Sequence, residues 1–363
     1  LLRLAVALQA QGVRVTVLAP SAAGLESEAV IDGVTVRRYR YAPHNWETLA
    51  YTGTMASQAS GPKGLASLAG LVAAGAFALR RAVAHDAPNV VHAHWWFPGG
   101  LSAIGGVGKT PLVTTLHGSD VRLAKGHSVA VGLMRRVLRR STHVTAVSEF
   151  LAREIGAIAL GQQVQVAPMP IDLSVFTLVS ATAEKERFLF VGRLNAQKGV
   201  SDVLRALARC EPTAQLDIVG EGEDSVTLHT LATTLGVERR VTWHGMLAQC
   251  DLPALYRRAT ALVVPSDQEG LGLVAVEAAC CGTPTIAYDG GGITDVVSSP
   301  SAGWLVPPGD VSALTEAMRE AGANPTERNR RGAAARESML TRFDPAVAAA
   351  RYLDIYRQAI DHA

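Results

Sequence analysis

The sequence predicts an α/β protein made of two doubly wound, Rossmann-like domains that face each other across a cleft. Three observations carry this reading. The chain has 363 residues, more than one hydrophobic core usually supports, so two domains are expected. Short apolar runs rich in β-branched residues alternate with helix-length stretches, the pattern of a parallel sheet covered by helices on both faces. The same style of alternation occurs twice along the chain. The composition, 48% hydrophobic and 18% charged, excludes a disordered protein.

The first domain is expected over 1–180. LLRLAVALQAQG has apolar residues at helical spacing and stops at Gly12, and VRVTVLAP then reads as a strand. Further strands are expected at 34–39, 89–94, 111–116, 143–147 and 163–167, with helices between them. The longest apolar run, 65–79, ends at Arg80 and Arg81. It is shorter than the ~20 residues that cross a bilayer and reads as a buried helix. No secretory signal is visible. Domains of this class normally open with a strand, whereas this chain opens at Leu1 in a helix. The first strand and its loop are therefore expected to be missing, leaving a gap in the first sheet, and the sequence is expected to be a fragment.

A joint is expected near 180–186, followed by a second domain over 181–340. Its strands are expected at 187–191, 215–219, 240–244, 261–264, 283–287 and 303–306. Each but the last runs into a Gly-rich or polar turn and then a helical stretch. Residues 341–363 read as a terminal helix that returns toward the first domain. Ligands of such sheets bind beyond the carboxyl ends of the strands, and the cleft between two such domains is the default site.

Charge is unevenly shared. Residues 1–180 hold 16 Lys+Arg against 9 Asp+Glu, while 181–363 hold 18 against 23, so the net +2 conceals +7 and −5. An anionic partner is expected for the first half alone. In VAVGLMRRVLRR, a helix would put Arg135, Arg136, Arg139 and Arg140 on one side and Val129, Leu133, Met134, Val137 and Leu138 on the other. Such a helix suits either contact with anionic lipid or a solvated face above a core stripe. The four cysteines, Cys210, Cys250, Cys280 and Cys281, have no metal-ligand spacing, which fits a reduced, cytosolic compartment.

One motif points elsewhere. AIGGVGKT, 103–110, fits the loose P-loop pattern and raises the alternative of a nucleotide triphosphatase. A P-loop follows a strand and opens a helix, so that backbone N–H groups and the helix dipole meet phosphate. Here a small-residue helix precedes the motif, and Pro111 and the strand LVTTL follow it. That order is reversed.

The informative segment is PSDQEGLGLVAVEAACCGTPTIAYDGGGITDVV, 265–297. A turn holding Gly270 and Gly272 enters an apolar helix, so several N–H groups and the helix dipole converge where a diphosphate could sit. Glu269 precedes the helix and Glu277 lies about a turn and a half inside it. A carboxylate has two acceptor oxygens and suits a vicinal diol, so Glu269 is assigned sugar hydroxyls and Glu277 a ribose. The competing reading makes both simple acids at a helix start.

This segment resembles the signature of retaining glycosyltransferases of family 4, which have the GT-B fold. Other pieces fall in the family's order: HAHWWFPGG (92–100), LHGSD (116–120), VGRLNAQKG (191–199), VGEGE (219–223), VTWHG (241–245) and GWLVPPGD (303–310). Asp295 stands where Glu is commoner, and Pro170 where Gly is usual. The resemblance implies transfer of a sugar from a UDP-, GDP- or ADP-sugar with retained anomeric configuration, without metal or cofactor. It implies His117, Arg193, Lys198 and Glu269 as catalytic residues. Gly192, Glu221, Gly245, Met246, Gly270, Leu271, Gly272, Leu273, Val274 and Glu277 would bind the donor, with the base near 241–245. His94, Trp95 and Asp120 would bind the acceptor. His92 and His94 alternate with Ala93 and so share a strand face, and Trp95 with Trp96 suggests a sugar-stacking surface or buried packing.

The pieces 92–100 and 116–120 look most like bacterial enzymes that build cell-envelope polysaccharide or glycolipid. That implies a glycan or lipid-linked acceptor, a cytoplasmic location with peripheral contact at the inner face of the membrane through the basic amino-terminal domain, and no nucleic-acid partner. A truncated, catalytically silent sugar-nucleotide-binding protein is the other alternative.

Overall fold

The computed structural model describes residues 1–51, 55–159, 161–179 and 186–362. Most of the expected joint, 180–185, lies outside them. The chain divides into two compact units, Leu1–Pro170 with Pro345–Ala363, and Ile171–Asp344. The division thus falls at 170/171, where the reading of the sequence put 180/181.

The first unit opens with the helix Leu2–Ala10, whose Leu4, Ala5, Ala7 and Leu8 are buried. It packs on the terminal helix Pro345–Asp361, which belongs to the same unit. Strand β1 (Thr16–Pro20) follows, then β2 (Glu28–Ile31) and β3 (Val34–Tyr39), in the order β1-β3-β2. β1 pairs parallel with β3, but β2 and β3 are antiparallel. The expected helix between β1 and β3 is replaced by this hairpin. Its turn is Asp32-Gly33, with φ 50° and 82°, the Asp-Gly pairing that favours a two-residue hairpin. A second sheet holds β4 (Val91–His94), β5 (Leu112–Leu116), β6 (His143–Ala146) and β7 (Val164–Val166), all parallel and in that order. Every residue of β5 is buried, as an apolar run in the middle of a covered parallel sheet should be.

The apolar run 65–79 is not a buried helix. It lies in the longer helix Gly61–Asp86, which has the length and composition to cross a membrane, yet only 22% of its most apolar window is buried. Gly64, Ser67, Leu71 and Gly75 face inward, while Leu65 and Phe77 are exposed. The helix approaches its neighbours through small residues: a Cβ at Gly75 would sit 2.9 Å from both Ser102 Oγ and the Tyr39 hydroxyl.

AIGGVGKT occupies the end of helix Leu101–Gly106 and the turn into β5, with Lys109 exposed. It meets the amino end of a strand rather than the carboxyl end, so it is not a phosphate loop.

The second unit has one six-stranded parallel sheet, β8 (Arg187–Val191), β9 (Gln215–Val219), β10 (Val241–Trp243), β11 (Ala261–Val264), β12 (Thr285–Tyr288) and β13 (Gly303–Val306). The spatial order is β10-β9-β8-β11-β12-β13. One sheet face packs Phe188, Phe190, Leu216 and Ile218 against Val203, Leu204 and Leu207 of helix Val200–Leu207 and Leu314 and Met318 of helix Val311–Ala323. Each of these larger side chains contributes about 1.5–3 kcal/mol by burial. The strand order reverses between β8 and β11, and in an open parallel sheet a ligand crevice forms at that reversal, outside the carboxyl ends of the strands.

Candidate active site

In the second unit, the loops leaving β8 and β11 are zipped together at the reversal. Asp267 N donates to Gln197 O at 2.9 Å, and Gln197 Nε2 returns a bond to Asp267 O at 3.3 Å. Gly199, with φ 67°, packs so closely that a Cβ would collide with the Pro265 carbonyl oxygen. Asn195 shapes the first loop by accepting from Lys198 N at 3.3 Å. Between the two loops, Lys198 Nζ donates to Glu269 Oε1, an ion pair whose side chains are 25% and 12% exposed.

The remaining loops pack on this centre. Gly292 N donates to Glu269 O at 2.7 Å, so the glycines after β12 brace the Glu269 backbone. Gln268 holds a φ of 56° just before Glu269, a strained conformation of the kind that clusters at functional loops. Gly192 N bonds Val219 O and Leu194 N bonds Glu221 O, both at 3.0 Å, tying the loops after β8 and β9. Glu221 is exposed, and its Oε1 would lie 3.4 Å from a Cβ on Gly245, at the end of β10. Met246 is exposed beside it. Arg193 is exposed on the loop after β8, five residues before Lys198.

Gly270, Leu271 and Gly272 form the turn into helix Leu273–Cys280; Leu271 is buried, Leu273 exposed and Val274 half-buried. Glu277, inside this helix, has partners that the sequence does not signal. Its Oε2 accepts from the Tyr256 hydroxyl at 2.9 Å and its Oε1 from Gln249 Nε2 at 3.0 Å. Burial raises its pKa, and the two donors oppose that rise. Glu277 is 7% exposed. A carboxylate still has lone pairs beyond two bonds, so a diol remains compatible with this geometry. The structure thus joins Lys198 directly to Glu269 and gives Glu277 a separate set of partners.

A second polar network also escaped sequence reasoning. Asp217, on β9, accepts from His244 at 2.7 Å, Arg258 at 3.0 Å and Arg187 at 3.2 Å. Burial pushes its carboxyl up, but these donors carry it below the usual range. The network anchors the base of the turn that leads to Gly245 and Met246.

In the first unit, His92 and His94 do share a face of β4, with rings 4.1 Å apart. His94 Nδ1 lies 3.1 Å from His117 Nε2, and the Trp95 ring is 4.7 Å from that of His117. His92 bonds Thr115 at 2.6 Å and the Tyr356 hydroxyl of the terminal helix at 2.7 Å. Burial pushes His92 and His117 down to about 3 and His94 well below its ordinary value, so all three imidazoles are neutral near pH 7.

The two tryptophans divide their roles. Trp96 is buried, and its indole donates to Asp120 O at 2.6 Å. Trp95 is half-buried, with φ 61° and ψ 139°, a backbone conformation that strongly disfavours a bulky residue. Asp120 is 3% exposed. Its carboxylate accepts from the backbone N–H groups of Trp96 (3.1 Å), His117 (3.1 Å) and Gly118 (2.9 Å). These bonds make it a clamp between the loops after β4 and β5.

Two units, each with a parallel sheet, and a strand-order reversal in one of them are the features of a glycosyltransferase of the GT-B fold. Family models agree: Glycosyltransferase Family 4 matches residues 1–175 and Glycosyl transferases group 1 matches 179–338. The glycogen synthase of Mycobacterium tuberculosis is 32% identical over 295 residues, covering 75% of this chain and 69% of that protein. Among solved structures, sucrose-phosphate synthase from Thermosynechococcus elongatus superposes with a TM-score of 0.84 at 23% identity, over 99% of this chain and 92% of that one. The Anabaena protein HepE, solved in complex with UDP, gives 0.73 at 20% identity over 95% and 100%. The chain belongs to glycosyltransferase family 4. It is a retaining, nucleotide-sugar-dependent enzyme.

Proposed function

We propose that the chain transfers a hexose from a UDP-, GDP- or ADP-sugar to a glycan or lipid-linked acceptor of the bacterial cell envelope, without a metal. The observation that carries the donor assignment is the contact between Lys198 and Glu269 at the strand-order reversal. A lysine there meets a diphosphate as a compact, mobile charge, and Arg193 adds a planar fork suited to two phosphate oxygens. HepE's complex with UDP supports UDP as the first donor to test.

In the proposed reaction, the bond from the sugar C1 to the phosphate oxygen breaks, and its electron pair stays with the diphosphate. The acceptor oxygen bonds C1 from the same face, and its proton passes to the departing phosphate. The transition state resembles an oxocarbenium ion and charge grows on the leaving group, so placed cations give the largest help. The diphosphate competes with Glu269 for Lys198, which turns the Glu269 oxygens toward sugar hydroxyls. Glu277 accepts from the ribose, and the His94–His117 pair with Trp95 borders the acceptor.

A thermal-shift screen of UDP-, GDP- and ADP-sugars identifies the donor. Transfer assays with EDTA then compare lipid-linked, glycan and small soluble acceptors. Robust transfer to a soluble metabolite alone would overturn the acceptor assignment, and an EDTA-sensitive rate would overturn the metal-free one. Donor binding with no turnover on any acceptor would favour the silent-binder alternative.

A further inference from the structure

The second unit carries an open groove of about 550 Å3 at the edge of its sheet. β13 is the edge strand, and β12 separates it from β11 and the strand-order reversal. Trp304, Val306 and Ala317 form the apolar side of the groove, and Glu316, Arg319 and Glu320 of helix Val311–Ala323 form its polar side. Sites for small molecules have volumes of about 300–1,000 Å3, and this groove falls within that range.

Trp304 is 6% exposed. Its indole Nε1 is buried and has no hydrogen-bond partner among the described residues. A buried indole N–H usually finds an acceptor, so this donor calls for one that the described chain does not supply. The ring itself is held in place. The Arg331 guanidinium lies 4.2 Å from its centroid. Arg331 is fixed in turn by the carbonyl of Gly303, by Glu327 at 2.8 Å and by Glu320 at 3.4 Å. On the polar side, Arg319 donates to Glu316 at 2.7 Å and to the carbonyl of Arg209. Both guanidinium groups are thus engaged within the chain, whereas the Glu316 and Glu320 carboxylates keep further lone pairs.

We propose that this groove is a binding site for one sugar unit of a neutral oligosaccharide. A sugar hydroxyl can accept from the Trp304 indole and donate to Glu316 or Glu320, while the C–H face of the ring covers Val306 and Ala317. An anion would meet two carboxylates, with the guanidinium groups already paired. A peptide strand added to β13 would find the carbonyl of Gly303 already bonded to Arg331. Such a site holds a glycan chain apart from the strand-order reversal. The inference does not rest on the donor assignment, because its test uses no sugar nucleotide.

The test reads Trp304 directly. The chain has five tryptophans, so an NMR spectrum of tryptophan-labelled protein resolves their indole N–H signals, and Trp304→Phe identifies one of them. Maltohexaose and cellohexaose are titrated to millimolar concentration, with inorganic phosphate as the control. At least one of the two chains should shift the Trp304 signal in a saturable way, and phosphate should not. Glu316→Ala should weaken that binding by about threefold to tenfold, the worth of one hydrogen bond. Ala323→Tyr places a ring at the exposed end of the groove and should weaken binding further at unchanged thermal melting. An unmoved Trp304 signal with both chains overturns the inference. So does a shift that phosphate reproduces, or binding that neither variant weakens.

Discussion

Lys198 and Glu269 stand 71 positions apart in the chain, and the structure joins them in one ion pair across the strand-order reversal. Removal of either charge tests whether that pair is the donor centre. Lys198→Ala and Arg193→Ala should each lower kcat by about 10²–10³-fold, the usual loss when one preorganised stabiliser of developing charge is deleted. Glu269→Ala should do the same. Steady-state transfer assays measure the loss, and unchanged thermal melting separates it from misfolding. Full activity in Arg193→Ala and Glu269→Ala would remove the assignment.

Gly199 tests the placement of the pair rather than its chemistry. Its positive φ and its contact with Pro265 leave no room for a side chain. Gly199→Ala should push the loops after β8 and β11 apart. Donor affinity should then fall by more than the melting temperature suggests. Titration calorimetry with the donor, beside a denaturation curve, makes the comparison.

Tyr256→Phe strips the buried Glu277 of one of its two donors. A buried carboxylate left under-satisfied costs about 1–3 kcal/mol, to be read from urea denaturation. Because burial already raises the pKa of Glu277, this variant should raise it further. The donor KM should then rise as pH falls, and a pH-independent KM would show that Glu277 does not meet the ribose.

The half-buried histidines give the first unit a pH dependence of definite sign. Their folded pKa values lie near 3 for His92 and His117, against about 6.5 unfolded. Between these values the unfolded chain binds protons that the folded chain refuses, so stability falls as pH drops from about 6.5 toward 3. Each such imidazole contributes a slope of about 1.4 kcal/mol per pH unit in that window. His92→Gln should remove one such increment, measured by denaturant unfolding at several pH values. An unaltered slope would mean that His92 protonates in the folded state.

Asp120→Ala removes the acceptor of three backbone N–H groups. The loops after β4 and β5 should loosen, with faster amide exchange at 95–97 and 117–119. Asp120→Asn keeps an acceptor and should recover part of the protection. Equal exchange in the parent and both variants would show that the loops hold without this clamp.

Much of the fold was legible because it is written in short-range patterns. The six strands of the second unit lie within or close to their predicted ranges, since apolar period and turn chemistry act over a few residues. Asp32-Gly33 was an equally local signal for the β2–β3 hairpin, and the expectation of strict strand-helix alternation obscured it. The spacing of Gly270 and Gly272 marked a turn into a helix, and the structure has that turn before helix Leu273–Cys280.

The sequence by itself determined the class of each unit, the glycine turns at strand ends and the segment that holds Glu269 and Glu277. Only the tertiary structure decided which groups meet: Lys198 with Glu269, Glu277 with Tyr256 and Gln249, and His92 with Tyr356, 264 residues away. It also put Val129 and Leu133 on the outward side of their helix and divided the first unit's strands between two sheets. The physical reason is range. Backbone propensity and side-chain period are fixed by near neighbours, whereas burial, ion pairing and the exposed side of a helix depend on what packs there from distant parts of the chain.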